Sequence, residues 1–553
     1  MKVNAVLIVS LLALVSCNTG SERAGTVSEV ADTTRPEDNR FTPVVLTPEG
    51  SLDEPMMFQV LEDGTAFIIE RKGGFKKFDP VAKTVSLIAT LPVYDENEQG
   101  LIGLALSPDF RNDHQVYLQY APADKSVFRL ERYALVNDKL AEDSKKILLE
   151  IPVDREHTNH TGGGMAWDRA GNLYLTVGNN TANGLLAQTD ERPGRENYDD
   201  QRGASNTNDL RGKILRIHPE PDGTYTIPKG NLFPPGTPKT RPEIYTMGHR
   251  NVWRVSVDSK TGWIYWGEIG PDQDQDTETG PRGYDEQNQA KAPGFFGWPY
   301  FIADNQPIPK YDYANNRVGV KLDPNKPVNT SPNNTGLTEL PPAQPALIYY
   351  PYAASEKFPL VGSSSRCAIG GPVYHRSDFV NPERPYPGYY ENKWMIADYS
   401  RFWIMAVTLD GNGNYQSMER FAPGYHPVQP LDTKFGPDGD LYVLEYGSNP
   451  SRSALEAKLV RIEYHGGNRK PVVVASAAKK GGAIPFTTKL SASGTTDYDD
   501  DELTYEWEVV SDDGSTRMLT GFEPEVTFDK PGVYEAILTV KDDKGESNQA
   551  TVR

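Results

Sequence analysis

Short runs of alternating hydrophobic and polar residues recur along the first 465 residues, and each run follows a turn that contains Gly or Asp. The clearest copies lie at residues 62–69, 168–175, 258–265 and 437–444, with a looser copy at residues 108–118. A period of two indicates a half-buried β-strand, and the turn before it indicates a hairpin. Repeated hairpins with one aromatic face predict a β-propeller, although a β-sandwich built from similar hairpins would give the same pattern.

The pattern changes after a linker at residues 465–471. Short strands then alternate at the spacing of an immunoglobulin-like β-sandwich. We therefore divide the chain into a propeller at residues 41–466 and a β-sandwich at residues 471–553. Asp497, Asp499 and Asp501 alternate before a Trp-containing strand. This spacing suits Ca²⁺, which favours carboxylate oxygens, and it equally suits a solvated acidic turn.

The N-terminus carries an apolar run at residues 5–15 that is too short to span a bilayer and is typical of a secretory signal. The run ends in Leu14-Val15-Ser16-Cys17, which resembles a bacterial lipobox in which Cys17 is lipidated. An ordinary signal with a chance cysteine is the alternative. We predict a signal peptide at residues 1–17, a flexible tether at residues 18–40, and lipid anchoring at the periplasmic face or surface of a bacterial cell envelope.

Charge and cysteine usage exclude several classes of function. A formal net charge of −19 without a basic run excludes nucleic acid as a partner. Two cysteines, Cys17 and Cys367, exclude a disulfide framework and a cysteine-based zinc site. The sequence has no Cys-x-x-Cys-His, so no c-type haem is attached to this chain, and electrons released by any redox reaction must pass to a separate acceptor.

The segment at residues 157–167 offers the clearest candidate chemistry. It contains His157 and His160, followed by three glycines directly before a strand. Glycines let a ligand approach the backbone closely, and a histidine can take up a proton near neutral pH. Either histidine is therefore a candidate base, although a surface loop whose histidines cap the strand fits the same residues.

Four separate motifs, at residues 99–110, 247–253, 266–271 and 283–288, resemble the soluble glucose/sorbosone dehydrogenase family. Members are quinoprotein β-propellers that use pyrroloquinoline quinone (PQQ). The similarity spans roughly residues 40–465 and implies six blades. Tyr505-Glu506-Trp507 and Pro531-Gly532-Val533-Tyr534 resemble a PKD domain, an immunoglobulin-like sandwich. The expected fold is therefore all-β, a six-bladed propeller followed by a PKD-like sandwich.

The resemblance also implies roles for individual residues. His160 matches the catalytic base, which takes a proton from the anomeric hydroxyl of the sugar. Arg250 and Asn251 match the pair that contacts the cofactor. Gly270 and Pro271 match the pair whose backbone carbonyls bind the Ca²⁺ next to PQQ.

The sequence departs from the family pattern at several of these sites. Glu98 stands where a Gln is usual, and Asn179 where an Asp orients the catalytic imidazole, which predicts a weaker base. Gln429 and Leu431 stand where two arginines clamp the PQQ carboxylates. Arg401 lies next to the position of a cofactor-binding lysine and is predicted to replace it. Further candidate cations are Arg366 and Lys213.

The resulting hypothesis is a PQQ- and Ca²⁺-dependent enzyme that oxidises an aldose or related carbohydrate to a lactone by hydride transfer to the quinone. A separate electron acceptor, a cytochrome or the quinone pool, then takes the electrons. The alternative is a propeller that has lost PQQ binding and serves as a carbohydrate-binding protein of the envelope.

Overall fold

The computed structural model describes residues 33–181, 189–449 and 453–553, so the predicted signal peptide and Cys17 lie outside the described residues. Six sheets follow one another along the chain, each built on a four-stranded antiparallel meander. The innermost strands contact one another in sequence order around a ring, and those of the first and last sheets also meet. The predicted six-bladed β-propeller is confirmed.

The first three blades comprise residues 55–90, 101–152 and 162–247. Blade 1 consists of Pro55–Val60, Ala66–Glu70, Gly74–Asp79 and Thr84–Thr90. Blade 2 consists of Leu101–Leu106, Gln115–Tyr120, Val127–Val136 and Lys139–Pro152. Blade 3 consists of Gly162–Trp167, Leu173–Val177, Lys213–Pro219 and Ile244–Met247, with the short strands Tyr225–Thr226 and Gly294–Phe295 added to it.

The last three blades complete the ring. Blade 4 consists of Val252–Val257, Ile264–Glu268, Asp285–Ala290 and Ile348–Tyr350. Blade 5 consists of Ala368–Ile369, Trp394–Asp398, Trp403–Leu409 and Tyr415–Arg420. Blade 6 consists of Pro430–Phe435, Leu441–Glu445, Lys458–Tyr464 and, from the N-terminal side of the chain, Phe41–Val45.

Blade 6 closes the ring because it combines strands from both ends of the propeller sequence. Phe41 pairs with Tyr464 in antiparallel register. The ring of Phe41 packs edge-on against Tyr386 and Phe421, with centroids 5.5 and 5.1 Å away. This aromatic cluster buries hydrophobic surface between blades 5 and 6 and stabilises the closure.

A buried ion pair joins blade 4 to the loop inside blade 5. His375 Nε2 lies 2.5 Å from Asp258 Oδ1, and both side chains are buried. Burial alone would lower the pKa of His375, but the hydrogen bonds with Asp258 and Glu391 raise it to about 9. The imidazole is therefore positively charged at neutral pH.

Short segments outside the blades complete the propeller. The helices and 3₁₀ turns are Asp38–Arg40, Phe110–Asp113, Glu196–Tyr198, Asp200–Arg202, Pro359–Val361, Arg376–Asp378, Gly388–Tyr390 and Ser453–Glu456. Two small hairpins pair Phe301–Ile302 with Gln306–Pro307 and Tyr311–Asp312 with Arg317–Val318. In the described parts of the chain, no helix is long and apolar enough to cross a membrane.

The C-terminal sandwich has two sheets around the buried Trp507. One sheet contains Ser476–Ala477, Phe486–Ser491 and Glu525–Phe528. The other contains Thr504–Ser511, Thr516–Thr520, Tyr534–Lys541 and Ser547–Val552. A cleft of about 770 Å³ in this domain contains none of the predicted site residues.

The acidic turn of the sandwich lies at its junction with the propeller. One carboxylate oxygen from each of Asp497, Asp499 and Asp501 lies within 4.8 Å of the others. Asp499 also pairs with Arg469 at 2.7 Å and with Arg40 at 2.8 Å. Because Arg35 pairs with Glu419 at 3.0 Å, the last residues of the predicted tether are held against the propeller.

Candidate active site

All six blades contribute residues to one cavity of about 320 Å³, which places the cavity on the axis of the ring. Because the first two strands of each blade are antiparallel, the residues before the first strand and those after the second meet at the same end. In blades 1, 2, 3, 4 and 6 a β-bulge lies at the start of the first strand, where it redirects side chains. The lining residues are Met56, Arg71, Asn97, Glu98, His160, Arg250, Asn251, Trp253, Ile269, Gly270, Asp272, Arg366, Cys367, Tyr399, Leu431 and Tyr446.

His160 lines this cavity from the loop before blade 3. Its backbone has φ +60°, a left-handed conformation that is uncommon for a residue with a side chain. Gly178 allows this conformation, because a Cβ there would lie 1.9 Å from the carbonyl oxygen of His160. The His160 N–H donates to Glu98 Oε2 at 2.8 Å. Gly178 and Glu98 together hold the loop that presents the imidazole to the cavity.

Asn179 determines which ring nitrogen of His160 carries the proton. His160 Nδ1 lies 2.7 Å from Asn179 Oδ1, which also accepts the backbone N–H of Thr181 at 3.1 Å. The amide nitrogen of Asn179 donates to Asp200 Oδ1 at 2.7 Å. Since Oδ1 of Asn179 is thereby fixed as an acceptor, Nδ1 of His160 is the protonated nitrogen and Nε2 carries the lone pair.

Asp200 is a buried carboxylate behind the imidazole that the sequence did not point to. Its second oxygen accepts the indole N–H of Trp298 at 2.7 Å. Burial raises the pKa of Asp200 to about 7, although hydrogen bonds and the charge of Arg250 oppose this rise. Asn179 thus stands between His160 and a carboxyl group that carries a negative charge above about pH 7.

Glu98 connects three blades at the cavity wall. Oε2 of Glu98 accepts the amide of Asn251 at 3.3 Å in addition to the N–H of His160. Asn251 in turn accepts the N–H of Gly162 at 3.1 Å. Burial raises the pKa of Glu98, while the hydrogen bond from His160 and the charge of Arg250 lower it. The predicted site residues Glu98, His160 and Asn251 are therefore in direct contact.

Three guanidinium groups, from Arg71, Arg250 and Arg366, line the cavity. The backbone N–H of Arg250 donates to Glu268 at 2.6 Å, and its Nη1 donates to the carbonyl of Ile269 at 3.0 Å. Burial lowers the pKa of Arg250, and Asp272 opposes this most strongly. Arg71 pairs with Glu54 at 2.5 Å. These guanidinium groups reach the cavity from blades 1, 4 and 5 and favour a ligand that carries negative charge, while the carboxylates of Glu98 and Asp272 also line it.

The predicted calcium ligands Gly270 and Pro271 have another partner in this structure. Gly270 lines the cavity, and its N–H donates to Asp285 at 3.0 Å. The carbonyl of Pro271 accepts Nη2 of Arg366 at 2.7 Å. A Ca²⁺ ion on Pro271 would therefore share this carbonyl with a guanidinium. The assignment of Gly270 and Pro271 as Ca²⁺ ligands stays a prediction.

Two of the predicted cations lie away from the cavity. Arg401 donates to the carbonyls of Pro351, Val361, Gly362, Ser364 and Ser365, which hold a loop of blade 5. Lys213 donates to three backbone carbonyls, and burial lowers its pKa to about 7. Arg366 is therefore the blade 5 cation at the cavity, because it lines the cavity whereas the guanidinium of Arg401 is bonded to the loop.

Of the remaining residues singled out in the sequence, one lines the cavity and two do not. Gln429 and Leu431 stand where the family resemblance expects two arginines that clamp PQQ. Leu431 lines the cavity with a hydrophobic side chain, and Gln429 does not line it. His157 packs edge-on against Tyr198, with ring centroids 5.0 Å apart, and lies outside the cavity lining. Of the two histidines, only His160 is placed to react with a ligand in the cavity.

Sequence reasoning missed Arg71, Tyr399 and Tyr446, which also line the cavity. Each directly follows the second strand of its blade, after Glu70, Asp398 and Glu445. A usable signal therefore existed, since a strand ending in an acidic residue marks the site end of a blade.

Those terminal acids share one structural role, which we name the carboxylate latch: Glu70, Glu268, Asp398 and Glu445, each the last residue of a second strand. Each side chain accepts a backbone N–H from the segment before the first strand of the same blade. The donors are Asp53 at 2.6 Å, Arg250 at 2.6 Å, Cys367 at 3.2 Å and Val428 at 2.9 Å. The latch fixes the backbone that carries the cavity residues, independently of their side chains.

Comparison with known proteins was consistent with this architecture. Residues 52–321 match the family model described as Glucose / Sorbosone dehydrogenase, and residues 468–553 match the PKD domain. The aldose sugar dehydrogenase of Escherichia coli is 25% identical over 259 residues, 45% of this chain and 60% of that protein. Quinoprotein glucose dehydrogenase B of Acinetobacter calcoaceticus is 25% identical over 323 residues, 53% of this chain and 62% of that protein. This chain thus spans about three fifths of the length of these curated relatives.

Solved structures share the fold. The apo-form of the soluble aldose sugar dehydrogenase from Escherichia coli aligns with a TM-score of 0.50 and 20% identity over 77% of this chain and 100% of that chain. A putative oxidoreductase (glucose dehydrogenase) from Thermus gives a TM-score of 0.51 and 24% identity over 76% of this chain and 99% of that chain.

Proposed function

Because this chain carries a glucose/sorbosone dehydrogenase domain followed by a PKD domain, as its sequence motifs predicted, we propose that the propeller oxidises an aldose with a bound quinone as oxidant. The observation that carries the proposal is that His160 and Arg250, distant in sequence, line the same axial cavity. The base would take the proton, the bound quinone would take the hydride, and the fixed positive charge would stabilise the negative charge that the quinone gains.

The base in this proposal is Nε2 of His160. Asn179 holds the proton on Nδ1, so Nε2 accepts the proton of the anomeric hydroxyl as the C–H hydride leaves and a lactone forms. General-base catalysis of this kind contributes about 10²- to 10⁴-fold to a rate. Asp200 keeps the amide of Asn179 in the required orientation.

The lining of the cavity suits PQQ, an anionic planar quinone with three carboxylates. Arg71, Arg250 and Arg366 supply positive charge on one cavity, and guanidinium groups bind carboxylates with two parallel hydrogen bonds. When bound, the quinone supplies the two-electron acceptor for the hydride. Arg250, whose Nη1 donates to the carbonyl of Ile269, would stabilise the negative charge that develops on such an acceptor.

The proposal extends to the cellular setting. A separate acceptor, a cytochrome or the quinone pool, would reoxidise the cofactor, and lipidated Cys17 would anchor the protein to the envelope membrane. Cys17→Ser should move the protein from the membrane fraction to the soluble fraction. Equal membrane association of both proteins would contradict the lipid anchor.

A reconstitution experiment tests the enzymatic proposal. The full chain is titrated with PQQ, and dye reduction is then measured with a panel of aldoses. His160→Ala should abolish turnover and leave quinone binding intact, whereas His157→Ala, a matched control outside the cavity, should preserve both. Arg250→Ala should weaken quinone binding. Turnover that survives His160→Ala would exclude His160 as the base.

A second candidate function is carbohydrate binding without catalysis. It is favoured by one observation, that Gln429 and Leu431 stand where the family resemblance expects two arginines. A buried carboxylate left without its partner costs on the order of 3–5 kcal/mol. Sugar binding without quinone binding at micromolar PQQ would support this candidate over the enzyme.

A further inference from the structure

The turn at Gly270 and Pro271 is organised around one side chain, that of Arg366. Nη2 of Arg366 donates to the Pro271 carbonyl at 2.7 Å, and Nη1 pairs with Asp285. The side chain of Arg366 is 1% exposed and that of Asp285 is fully buried. The same Asp285 accepts the N–H of Gly270, so the guanidinium, the carboxylate and the turn form one unit.

The neighbours of Arg366 hold its guanidinium in place. The guanidinium carbon lies 4.2 Å from the ring centroid of Tyr352, a cation–π contact. A Cβ on Gly283 would lie 1.7 Å from the Pro271 carbonyl oxygen and 2.6 Å from Nη2 of Arg366. The carbonyl is therefore enclosed by the Gly283 backbone on one side and by the guanidinium on another.

A calcium ion and this guanidinium compete for the same carbonyl. Ca²⁺ binds protein oxygens at about 2.3–2.6 Å, so an ion on Pro271 would lie within about 5 Å of Nη2. Two cations at this distance in a buried site repel each other strongly. The guanidinium has a buried carboxylate partner, Asp285, so it is the cation that the turn is built to hold.

We propose that Arg366 takes the place of a calcium ion at this turn, so that the cavity binds an anionic quinone without metal. The proposal rests on the proposed function for its ligand. Arg366 lines the cavity, and its Nε is buried with no hydrogen-bond partner in the described part of the chain. What the side chain brings to the lining of the cavity is therefore its positive charge.

Quinone titration with and without metal tests this inference. Binding of PQQ to the full chain is followed by quenching of tryptophan fluorescence, once in chelator and once in millimolar Ca²⁺. We expect the PQQ affinity of the wild type in chelator to equal that in Ca²⁺ to within about twofold, which is about 0.4 kcal/mol in binding free energy. Loss of wild-type binding in chelator, with recovery in Ca²⁺, would overturn the inference.

Arg366→Ser supplies the complementary arm, because it removes the guanidinium and opens space beside Pro271. Its affinity in chelator should fall on the order of 10- to 100-fold, the effect of losing a charge-assisted contact, and Ca²⁺ should restore it. Arg169→Ser, a control whose exposed guanidinium pairs with Asp378 outside the cavity, should retain wild-type behaviour. An Arg366→Ser variant with unchanged affinity in chelator would also refute the inference.

A measurement without quinone separates this inference from the proposed function. The unfolding temperature of each protein is recorded with and without Ca²⁺. Arg366→Ser should gain a larger Ca²⁺-induced rise than the wild type, and the acidic turn at Asp497 contributes equally to both. Equal rises would overturn the inference even if PQQ binds neither protein. Should Arg366→Ser not fold, Arg366→Lys keeps the positive charge and should remain insensitive to Ca²⁺ in quinone binding.

Discussion

Replacing Asp200 with Asn removes a negative charge that never touches the cavity and should still slow the reaction. In the wild type, Asp200 accepts the amide of Asn179 at 2.7 Å, and Asn179 accepts the proton on Nδ1 of His160 at 2.7 Å. An Asn at position 200 can turn a second amide donor toward Asn179. The side-chain NH₂ of Asn179 then no longer has a carboxylate acceptor that keeps the amide in one orientation. If the amide turns over, its NH₂ faces the protonated Nδ1 of His160, and two donors oppose each other.

The expected magnitude follows from the hydrogen bond that is lost. A hydrogen bond to a charged acceptor contributes about 1.5–3 kcal/mol, and each 1.4 kcal/mol corresponds to a factor of ten. The Thr181 N–H still donates to Asn179, so orientation is weakened but not abolished. We therefore expect kcat to fall on the order of 10- to 100-fold, with KM nearly unchanged because Asp200 does not line the cavity.

The pH dependence gives an independent check. Burial raises the pKa of Asp200 to about 7, so the carboxylate is ionised above this pH and carries its own proton below it. Protonation removes an acceptor, so wild-type kcat should fall as pH drops through about 7. Asp200→Asn should lack this component of the pH profile and keep only the fall caused by protonation of the base itself.

Steady-state dye reduction from pH 5 to 9 with saturating PQQ measures both effects. Asp190→Asn is the matched control, because Asp190 is also buried but pairs with Arg192 and Arg195 instead of Asn179. If Asp200→Asn retains kcat within about twofold at pH 8, Asp200 has no part in orienting His160.

Three further predictions concern the scaffold. Gly178→Ala should reduce turnover and lower the free energy of unfolding by about 1–3 kcal/mol, because the new Cβ would lie 1.9 Å from the His160 carbonyl oxygen. Gly411→Ala, where a Cβ would meet open space, should leave both quantities unchanged. Turnover and denaturant-unfolding assays measure the two effects. Phe41→Ala should destabilise the protein by about 3–5 kcal/mol in the same denaturation assay, and a change below 1 kcal/mol would exclude a role in ring closure. His375→Gln should flatten stability between about pH 6.5 and 9: the raised pKa means that the wild-type imidazolium stabilises fully below its unfolded pKa and loses this contribution as pH rises through about 9.

The hairpin pattern predicted much of the propeller because it marks one position in the blade. The copies at residues 62–69, 168–175, 258–265 and 437–444 all lie at the turn into the second strand, in blades 1, 3, 4 and 6. Blade 5 escaped the pattern, since its first strand is only Ala368–Ile369 and a long loop separates it from the second. The number of blades therefore came from family resemblance and not from periodicity.

The candidate site was predictable for residues whose position next to a strand determines whether they lie at the cavity end of the blade. His160, Arg250 and Asn251 directly precede or begin first strands, so their placement on the cavity follows from the meander. Asp200 was not predictable, because it approaches His160 from a polar insertion whose path no periodicity describes. Arg366 and Arg401 could not be distinguished either, since both flank strands of blade 5 and only the folded loop shows which one faces inward.

The carboxylate latch allows the side chains that line the cavity to change without loss of the fold. In four blades, an acid holds the neighbouring segment by its main chain, so the amino acids displayed there can be exchanged while the path of the polypeptide persists. Libraries randomised at Met56, Cys367 and Leu431, which line the cavity on the held segments or directly after them, with the four acids retained, should thus yield folded variants with altered sugar preference far more often than libraries that vary the acids.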